Sequence, residues 1–163
     1  DFLVRAQLAS DWNNSRLVNG CFRCNDTNCT TCPYIENGRK KYTFHTTGET
    51  YSIKSNTTCS TFNIIYMIQC SLCGLQYIGE TKRRLKDHFS EHRRPIINLN
   101  GSYNHTAVSE HFLSTNHSHT DMIFIPLEVL KCKRDSVRKA REAHLIQKAK
   151  TVEPFGMNRR DEQ

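Results

Sequence analysis

Three Cys-x2-Cys pairs constrain this chain more strongly than any other feature of its sequence. The pairs are Cys21-x2-Cys24, Cys29-x2-Cys32 and Cys70-x2-Cys73, and they contain six of the eight cysteines. Two cysteines at this spacing form a knuckle whose thiolates can bind one tetrahedral zinc ion at about 2.3 Å. Disulfides in a secreted protein are the alternative explanation for so many cysteines. Because structural disulfides usually join cysteines further apart, the spacing favours zinc.

The net charge indicates a polyanionic partner. The 163 residues include 23 Lys and Arg against 16 Asp and Glu, which gives a formal net charge of +7. Such a balance favours nucleic acid first and an acidic membrane surface second. No apolar run approaches the roughly 18–20 residues of a membrane span, and we expect neither a membrane nor a small-molecule substrate as a partner. The first residues lack an initiator Met and a signal-peptide pattern, which predicts a piece of a longer chain.

Composition divides the chain into three predicted parts. Residues 1–19 are expected to be a linker from an upstream domain, residues 20–60 a cysteine-rich zinc-binding segment, and residues 61–163 one compact domain. Turn signals at Asn37-Gly38 and Thr47-Gly48 separate short alternating stretches of the cysteine-rich segment. We expect this segment to bury little core and to depend on a metal for its fold.

The compact domain alternates strand and helix patterns, which indicates a mixed α/β (α+β) fold. Residues 62–69 are a β-branched and aromatic run, and residues 75–79 follow it after a tight turn, which predicts an antiparallel hairpin. Residues 122–130 predict a third strand. The predicted helices are residues 82–94, ended by Pro95; residues 104–115, with Val108, Phe112 and Leu113 inward; and residues 137–150, capped by Ser136, with Val137, Ile146 and Ala149 on one face.

Polar side chains gather near the predicted hairpin. Tyr66 and Tyr77 lie on its adjacent strands, and Arg84, His88 and His92 recur along one stripe of the following helix. Two basic runs flank this group and are predicted to contact DNA phosphates. The residues concerned are Lys82, Arg83, Arg84, Lys86, Arg93, Arg94, Arg138, Lys139 and Arg141.

Glu142 shares a helical face with Ile146 and Ala149. A carboxylate on an apolar face must be paired or bound to a metal. One possibility is an i, i+4 ion pair with Arg138. The other is that Glu142 holds Mg²⁺ and its waters, as phosphodiester hydrolysis requires. The residues alone leave both open.

The order and spacing of these residues resemble a nuclease pattern. Ile64-Ile65-Tyr66, a ten-residue gap and Tyr77-Ile78-Gly79-Glu80-Thr81, then Leu85, His92, Glu142 and Asn158, resemble the GIY-YIG nucleases. The Cys70-x2-Cys73 pair between the motifs, with His111 and His117 later, is similar to the endonuclease domain of Penelope-like retroelements, which follows a reverse transcriptase. The resemblance implies a small three-stranded antiparallel sheet flanked by helices and preceded by a zinc-bound cysteine-rich segment.

The resemblance also implies an activity. It would be a Mg²⁺-dependent (or Mn²⁺-dependent) DNA endonuclease that nicks target DNA in the nucleus to prime reverse transcription of the element. The partners would be DNA, the upstream reverse transcriptase domain and the element RNA. In this pattern Tyr66 activates or positions the attacking water, Tyr77 and His92 contact the phosphate, Glu142 holds the metal, and Asn158 braces the end of the site.

Residue 88 departs from the family pattern, which places an arginine there to hold the scissile phosphate. His88 is neutral above about pH 6.5, whereas a guanidinium is always charged and can form a bidentate clamp. Arg84, one turn earlier on the same predicted stripe, is the candidate to replace it. The alternative function is a catalytically degenerate, zinc-containing module that binds nucleic acid.

Two structural zinc sites are expected. One comprises Cys70, Cys73, His111 and His117, with His105 or His119 as alternatives to either histidine. For the other, local spacing suggests Cys21, Cys24, Cys29 and Cys32, whereas the family pattern suggests Cys24, Cys29, Cys32 and Cys59. We prefer the second set, which would tie the linker to the first strand of the domain and leave Cys132 as a spare thiol.

Overall fold

The computed structural model describes residues 18–162, which contain seven strands and three α-helices. Residues 1–17 of the predicted N-terminal linker lie outside the described part. The elements are β1 (Gly20–Phe22), β2 (Lys41–Thr43), β3 (Thr50–Ser52), β4 (Asn56–Thr58), β5 (Ile64–Cys70), β6 (Gln76–Thr81), α1 (Leu85–Ile97), α2 (Ala107–Leu113), β7 (Met122–Val129) and α3 (Asp135–Ala149).

A three-stranded sheet of order β6-β5-β7 forms the centre of the protein, and both strand pairs are antiparallel. All of β5 except Gln69 is buried, which explains why its sequence is apolar almost throughout and does not alternate. Pro126 is tolerated because β7 is an edge strand, and the register shifts beside it, between Ile65 and Tyr66. The predicted mixed α/β fold with a small three-stranded antiparallel sheet is confirmed.

Helix α1 begins and ends later than the sequence predicts. It starts at Leu85 and continues through Pro95 to Ile97, so the expectation that Pro95 ends the helix is wrong. Pro95 is buried in the last turn, where its missing N–H affects only the end of the helix. Among residues 18–162, no helix is both long enough and apolar enough to cross a membrane.

Two smaller expectations about the helices are also corrected. Arg134, not Ser136, occupies the N-cap of α3. Leu113 and Val137 were expected to face inward, but they are 38% and 40% exposed. In α3 the inward position of the first turn is taken by Arg138, which is buried.

The cysteine-rich segment packs onto the sheet domain. Strand β1 pairs with β4 in parallel, and β2 pairs with β3 in an antiparallel hairpin whose side chains alternate between exposed and buried. Phe44, Tyr51 and Ile53 belong to the same buried cluster as the sheet, so the expectation of little core here is wrong. Gln76 of β6 fixes the hairpin, because its side-chain amide donates to the Thr43 carbonyl at 2.9 Å.

Candidate active site and metal centres

The Tyr66 hydroxyl lies between two histidines. Tyr66 comes from the central strand, while His88 and His92 lie one turn apart on α1. The Tyr66 hydroxyl oxygen is 2.8 Å from Nε2 of His88 and 2.8 Å from Nε2 of His92. The ring of Tyr77, on the neighbouring strand, is centred 6.4 Å from the Tyr66 ring and 5.7 Å from the His92 ring. The structure therefore brings the four predicted residues into one cluster.

Gly79 makes room for the Tyr66 side chain. The two residues are opposite each other in the β5–β6 pair, and a Cβ at position 79 would lie 2.5 Å from the Tyr66 hydroxyl oxygen. Real Cβ atoms essentially never come so close, so the glycine of the second motif is required by this packing. Tyr77 is opposite Ile68 and is therefore a diagonal neighbour of Tyr66 on the same face.

Asn158 holds strand β6 in place through the backbone of Ile78. Its side-chain carbonyl accepts the Ile78 backbone N–H at 2.9 Å, and its amide donates to the Ile78 carbonyl at 2.8 Å. Thr151 adds a hydrogen bond to the Asn158 carbonyl oxygen at 2.7 Å. Asn158 is buried, and it fixes β6 between Tyr77 and Gly79.

A neighbouring arginine fixes the tautomers of this cluster. Nη2 of Arg83 donates to Nδ1 of His88 at 3.0 Å, so Nδ1 must be an unprotonated acceptor. The proton of neutral His88 is then on Nε2, which donates to the Tyr66 oxygen. The Tyr66 hydroxyl in turn donates to Nε2 of His92. That leaves the His92 proton on Nδ1, which is buried and has no hydrogen-bond partner in the described part of the chain.

Burial keeps the whole cluster uncharged. It lowers the pKa of His92 to about 3, with a further contribution from His88. Burial and the nearby Arg83 charge lower the pKa of His88. Burial also raises the pKa of Tyr66 well above its usual range, and Tyr77 adds to the shift. At neutral pH the site therefore contains a neutral phenol and two neutral imidazoles.

Glu142 is a half-buried carboxyl group on α3. Burial and the charge of Glu80 raise its pKa to about 7. The possible i, i+4 partner Arg138 is directed elsewhere, because it forms ion pairs with Glu80 and Asp135. The ion-pair interpretation of Glu142 is therefore wrong. A divalent cation fits this position, since it would offset both the burial and the carboxylate repulsion.

The predicted DNA-contacting residues fall into three groups. Arg138 is only 3% exposed and is bound to Glu80, so it does not face solvent, which corrects its assignment to a DNA surface. In the second group, Arg141 pairs with Glu128, Arg93 donates to the Thr30 carbonyl, and Lys86 pairs with Asp26. The third group is exposed on the surface and consists of Lys82, Arg83, Arg84, Arg94 and Lys139.

Glu80 was not singled out from the sequence. Its carboxylate accepts a hydrogen bond from Arg138, 58 residues away, and its charge raises the pKa of Glu142. Neither spacing nor periodicity connects residues that far apart. The one available signal was its place directly after Gly79 in the second motif.

The first cysteine cluster consists of Cys24, Cys29, Cys32 and Cys59, whose ligand atoms all lie within 4.8 Å of one another. Sγ of Cys32 is 3.5 Å from the Sγ atoms of both Cys24 and Cys59. Tetrahedral zinc with Zn–S bonds of about 2.3 Å requires sulfurs roughly 3.8 Å apart, so this set fits zinc. Cys21 lies outside this group. It is buried, and burial raises the pKa of its thiol to about 12.

The second cluster consists of Cys70, Cys73, His111 and His117, again within 4.8 Å of one another. Sγ of Cys73 is 3.5 Å from Nε2 of His111. Nδ1 of His117 is 3.0 Å from the Thr115 carbonyl, which it reaches as a donor, and its buried Nε2 is left without a hydrogen bond. An imidazole held in this way presents a free lone pair, as a metal ligand must.

The two alternative histidines lie outside the second cluster. Nδ1 of His119 is 2.8 Å from the Tyr34 hydroxyl, and His105 is exposed. The two clusters that could hold a metal therefore consist of the residues that the sequence analysis prefers.

The family model described as the GIY-YIG catalytic domain matches residues 62–158, more than half of the chain. The protein belongs to the GIY-YIG family. A catalytic domain of this kind implies an endonuclease with DNA as its substrate. No curated protein and no solved structure matches the chain.

Proposed function

We propose that the protein is the endonuclease domain of a Penelope-like retroelement. It would nick target DNA and expose a 3′-hydroxyl from which the attached reverse transcriptase starts synthesis. The observation that carries the nuclease proposal is the Tyr66 hydroxyl, held at 2.8 Å between two neutral histidines inside a GIY-YIG domain. Cys70 and Cys73 lie between the two sequence motifs and form one cluster with His111 and His117, which follow the second motif. This arrangement supports the retroelement assignment.

Tyr66 is suited to orient the attacking water. Its oxygen accepts from Nε2 of His88 and keeps one lone pair for a water O–H. Its own proton points at Nε2 of His92, an acceptor that burial keeps unprotonated. Because the pKa of His92 is about 3, this imidazole is a weak base, and it fixes the direction of the phenol proton without removing it. The attacking water then loses its proton to solvent or to the leaving oxygen, and the phenol does not have to ionise.

Glu142 is the residue proposed to hold the catalytic cation. When bound, Mg²⁺ or Mn²⁺ would supply positive charge to the phosphate and to the leaving oxygen. The direct ion pairs of Arg138 are with Glu80 and Asp135 and not with Glu142, and the Glu80 charge raises the Glu142 pKa.

The remaining residues shape and charge the cleft. Tyr77 would contact the phosphate from the second strand, and Asn158 would keep that strand in register through Ile78. The exposed basic side chains, which include Lys82 and Lys139, would bind flanking phosphates without sequence preference. Each of the two cysteine-containing clusters would bind one structural zinc ion. We further propose that the protein acts in the nucleus, with the element RNA as an additional ligand of the complete retroelement protein.

A catalytically degenerate DNA-binding module is the second candidate function. His88 at the position of the family's arginine favours it, because the lowered pKa of His88 leaves no charge there at neutral pH.

The distinguishing experiment examines the product ends. Supercoiled plasmid is incubated with the protein and Mg²⁺, and the nicked circle is then offered to a DNA polymerase with labelled nucleotides. The proposal predicts nicks that the polymerase extends directly. Nicks that require prior removal of a 3′-phosphate would contradict the priming role, and DNA binding without any nicking would favour the degenerate module.

A further inference from the structure

We propose that Arg83 supplies the guanidinium that contacts the scissile phosphate, in place of residue 88. This inference rests on the proposed nuclease function and assigns one of its substrate contacts. The family's arginine position carries His88, whose imidazole is neutral. The structure assigns the missing charge to a residue five positions earlier in the chain.

The position of the Arg83 guanidinium is the main argument. Its Nη2 atom lies 3.0 Å from Nδ1 of His88, and Nε2 of the same imidazole lies 2.8 Å from the Tyr66 hydroxyl oxygen. One imidazole ring therefore separates the guanidinium from the hydroxyl proposed to orient the water. A phosphate attacked by that water would lie within reach of Arg83.

Arg83 is also held in place while part of it stays free. Both of its terminal nitrogens donate to the Glu91 carboxylate, at 2.8 Å and 2.7 Å, and its backbone N–H donates to the Thr81 hydroxyl at 3.1 Å. These contacts and the bond to His88 use three of the five guanidinium N–H groups, which leaves two for an incoming oxygen. The side chain is 46% exposed, so a phosphate can approach it.

Arg84, the substitute that the sequence suggests, points elsewhere. Its guanidinium pairs with Asp87 at 2.9 Å, and its side chain is 56% exposed. Its backbone is extended rather than helical, with φ −58° and ψ 139°, because α1 begins only at the next residue. The predicted polar stripe therefore includes His88 and His92 but not Arg84.

A guanidinium at this point suits the chemistry of the site. A guanidinium binds phosphate oxygens through paired N–H groups and stays charged at every working pH, whereas lysine offers a point charge. Loss of one preorganised donor to a developing oxyanion typically slows catalysis about 100- to 1000-fold. Arg83 should therefore act mainly on the rate of cleavage and only weakly on DNA affinity.

The test compares nicking rates of the full chain at saturating plasmid and Mg²⁺, with DNA affinity measured separately in EDTA. We expect Arg83→Ala to be about 100-fold slower than wild type, with affinity reduced less than threefold. Arg83→Lys should fall between the two. Arg84→Ala loses the same charge one residue away and should remain at least thirtyfold faster than Arg83→Ala. Arg39→Ala, on an exposed surface outside the site, serves as the unchanged control.

A rescue variant separates a substrate contact from a merely structural role. His88→Arg in the Arg83→Ala background moves a guanidinium to the family's position and should restore at least a tenth of the wild-type rate. If Arg83→Ala nicks within threefold of Arg84→Ala, or if rescue fails while folding and zinc content are normal, Arg83 is not the phosphate contact. A wild-type chain that binds plasmid but never nicks it would overturn the proposed function itself.

Discussion

Replacement of Arg138 tests whether this residue supports the site or contacts DNA. Its guanidinium is bound to the Glu80 carboxylate, to Asp135 at 2.7 Å and to the Asn63 side-chain carbonyl at 3.2 Å, and it is 3% exposed. Asp135 is 61% exposed, so that pair contributes little. Arg138→Met keeps much of the side-chain volume but leaves the Glu80 carboxylate, which is 18% exposed, without its counterion.

Loss of one partner from a buried ion pair costs about 3–5 kcal/mol. For a domain of this size each kcal/mol lowers Tm by about 2–4 °C, so Arg138→Met should lower Tm by about 6–20 °C. Thermal unfolding followed by circular dichroism measures the effect. Lys139→Ala, at the exposed neighbouring position, should leave Tm within about 2 °C of wild type, as surface substitutions usually do.

A double variant identifies the cause of the loss. Glu80→Gln removes the carboxylate that Arg138→Met would leave unpaired, so the double variant should recover at least half of the lost Tm. If Arg138→Met melts with the wild-type protein and instead binds DNA more weakly than Lys139→Ala, the buried pairing described here is wrong and Arg138 faces the substrate.

Three further outcomes follow from the site. Cys59→Ser should reduce zinc content from two ions per chain to about one, whereas Cys21→Ser should retain two; elemental analysis decides, and equal losses would contradict the Cys59 cluster. Nicking should not fall between pH 7 and 8.5, because burial and the Arg83 charge lower the His88 pKa, so the protonated form is a minority throughout this range; a tenfold fall per pH unit would show that protonated His88 is the clamp. Tyr66→Phe should abolish nicking and lower the free energy of unfolding by about 1–3 kcal/mol, since the buried imidazole of His92 and the half-buried imidazole of His88 lose their shared partner; unchanged urea midpoints would refute that coupling.

Sequence patterns predicted the sheet because each strand carries its own local signal. The apolar run of β5 is visible in seven consecutive residues, and the motif Tyr77-Ile78-Gly79 lies within one strand. Local patterns also placed His88 and His92 on one face, since both lie inside α1. The fold class and the core of the candidate site were therefore available from short-range information.

The errors arise where long-range contacts or backbone geometry decide. Helical periodicity was extended to Arg84, but the chain is not helical before Leu85, so the nearest guanidinium belongs to Arg83. The pairing of Arg138 with Glu80 joins residues 58 positions apart, which no spacing rule can reveal. Cys59 lies 27 residues after Cys32, and local spacing alone would have chosen Cys21 in its place.

Metal-dependent DNA cleavage at this site is tested most directly by one comparison. Supercoiled plasmid is incubated with wild type, Glu142→Ala and the surface control Glu49→Ala at equal DNA occupancy, with Mg²⁺ or with EDTA. We predict Mg²⁺-dependent nicking by wild type and Glu49→Ala, and no nicking by Glu142→Ala despite unchanged or tighter DNA binding, since a carboxylate has been removed from a phosphate-binding face. Nicking by Glu142→Ala at the wild-type rate, or equal nicking in EDTA, would contradict it.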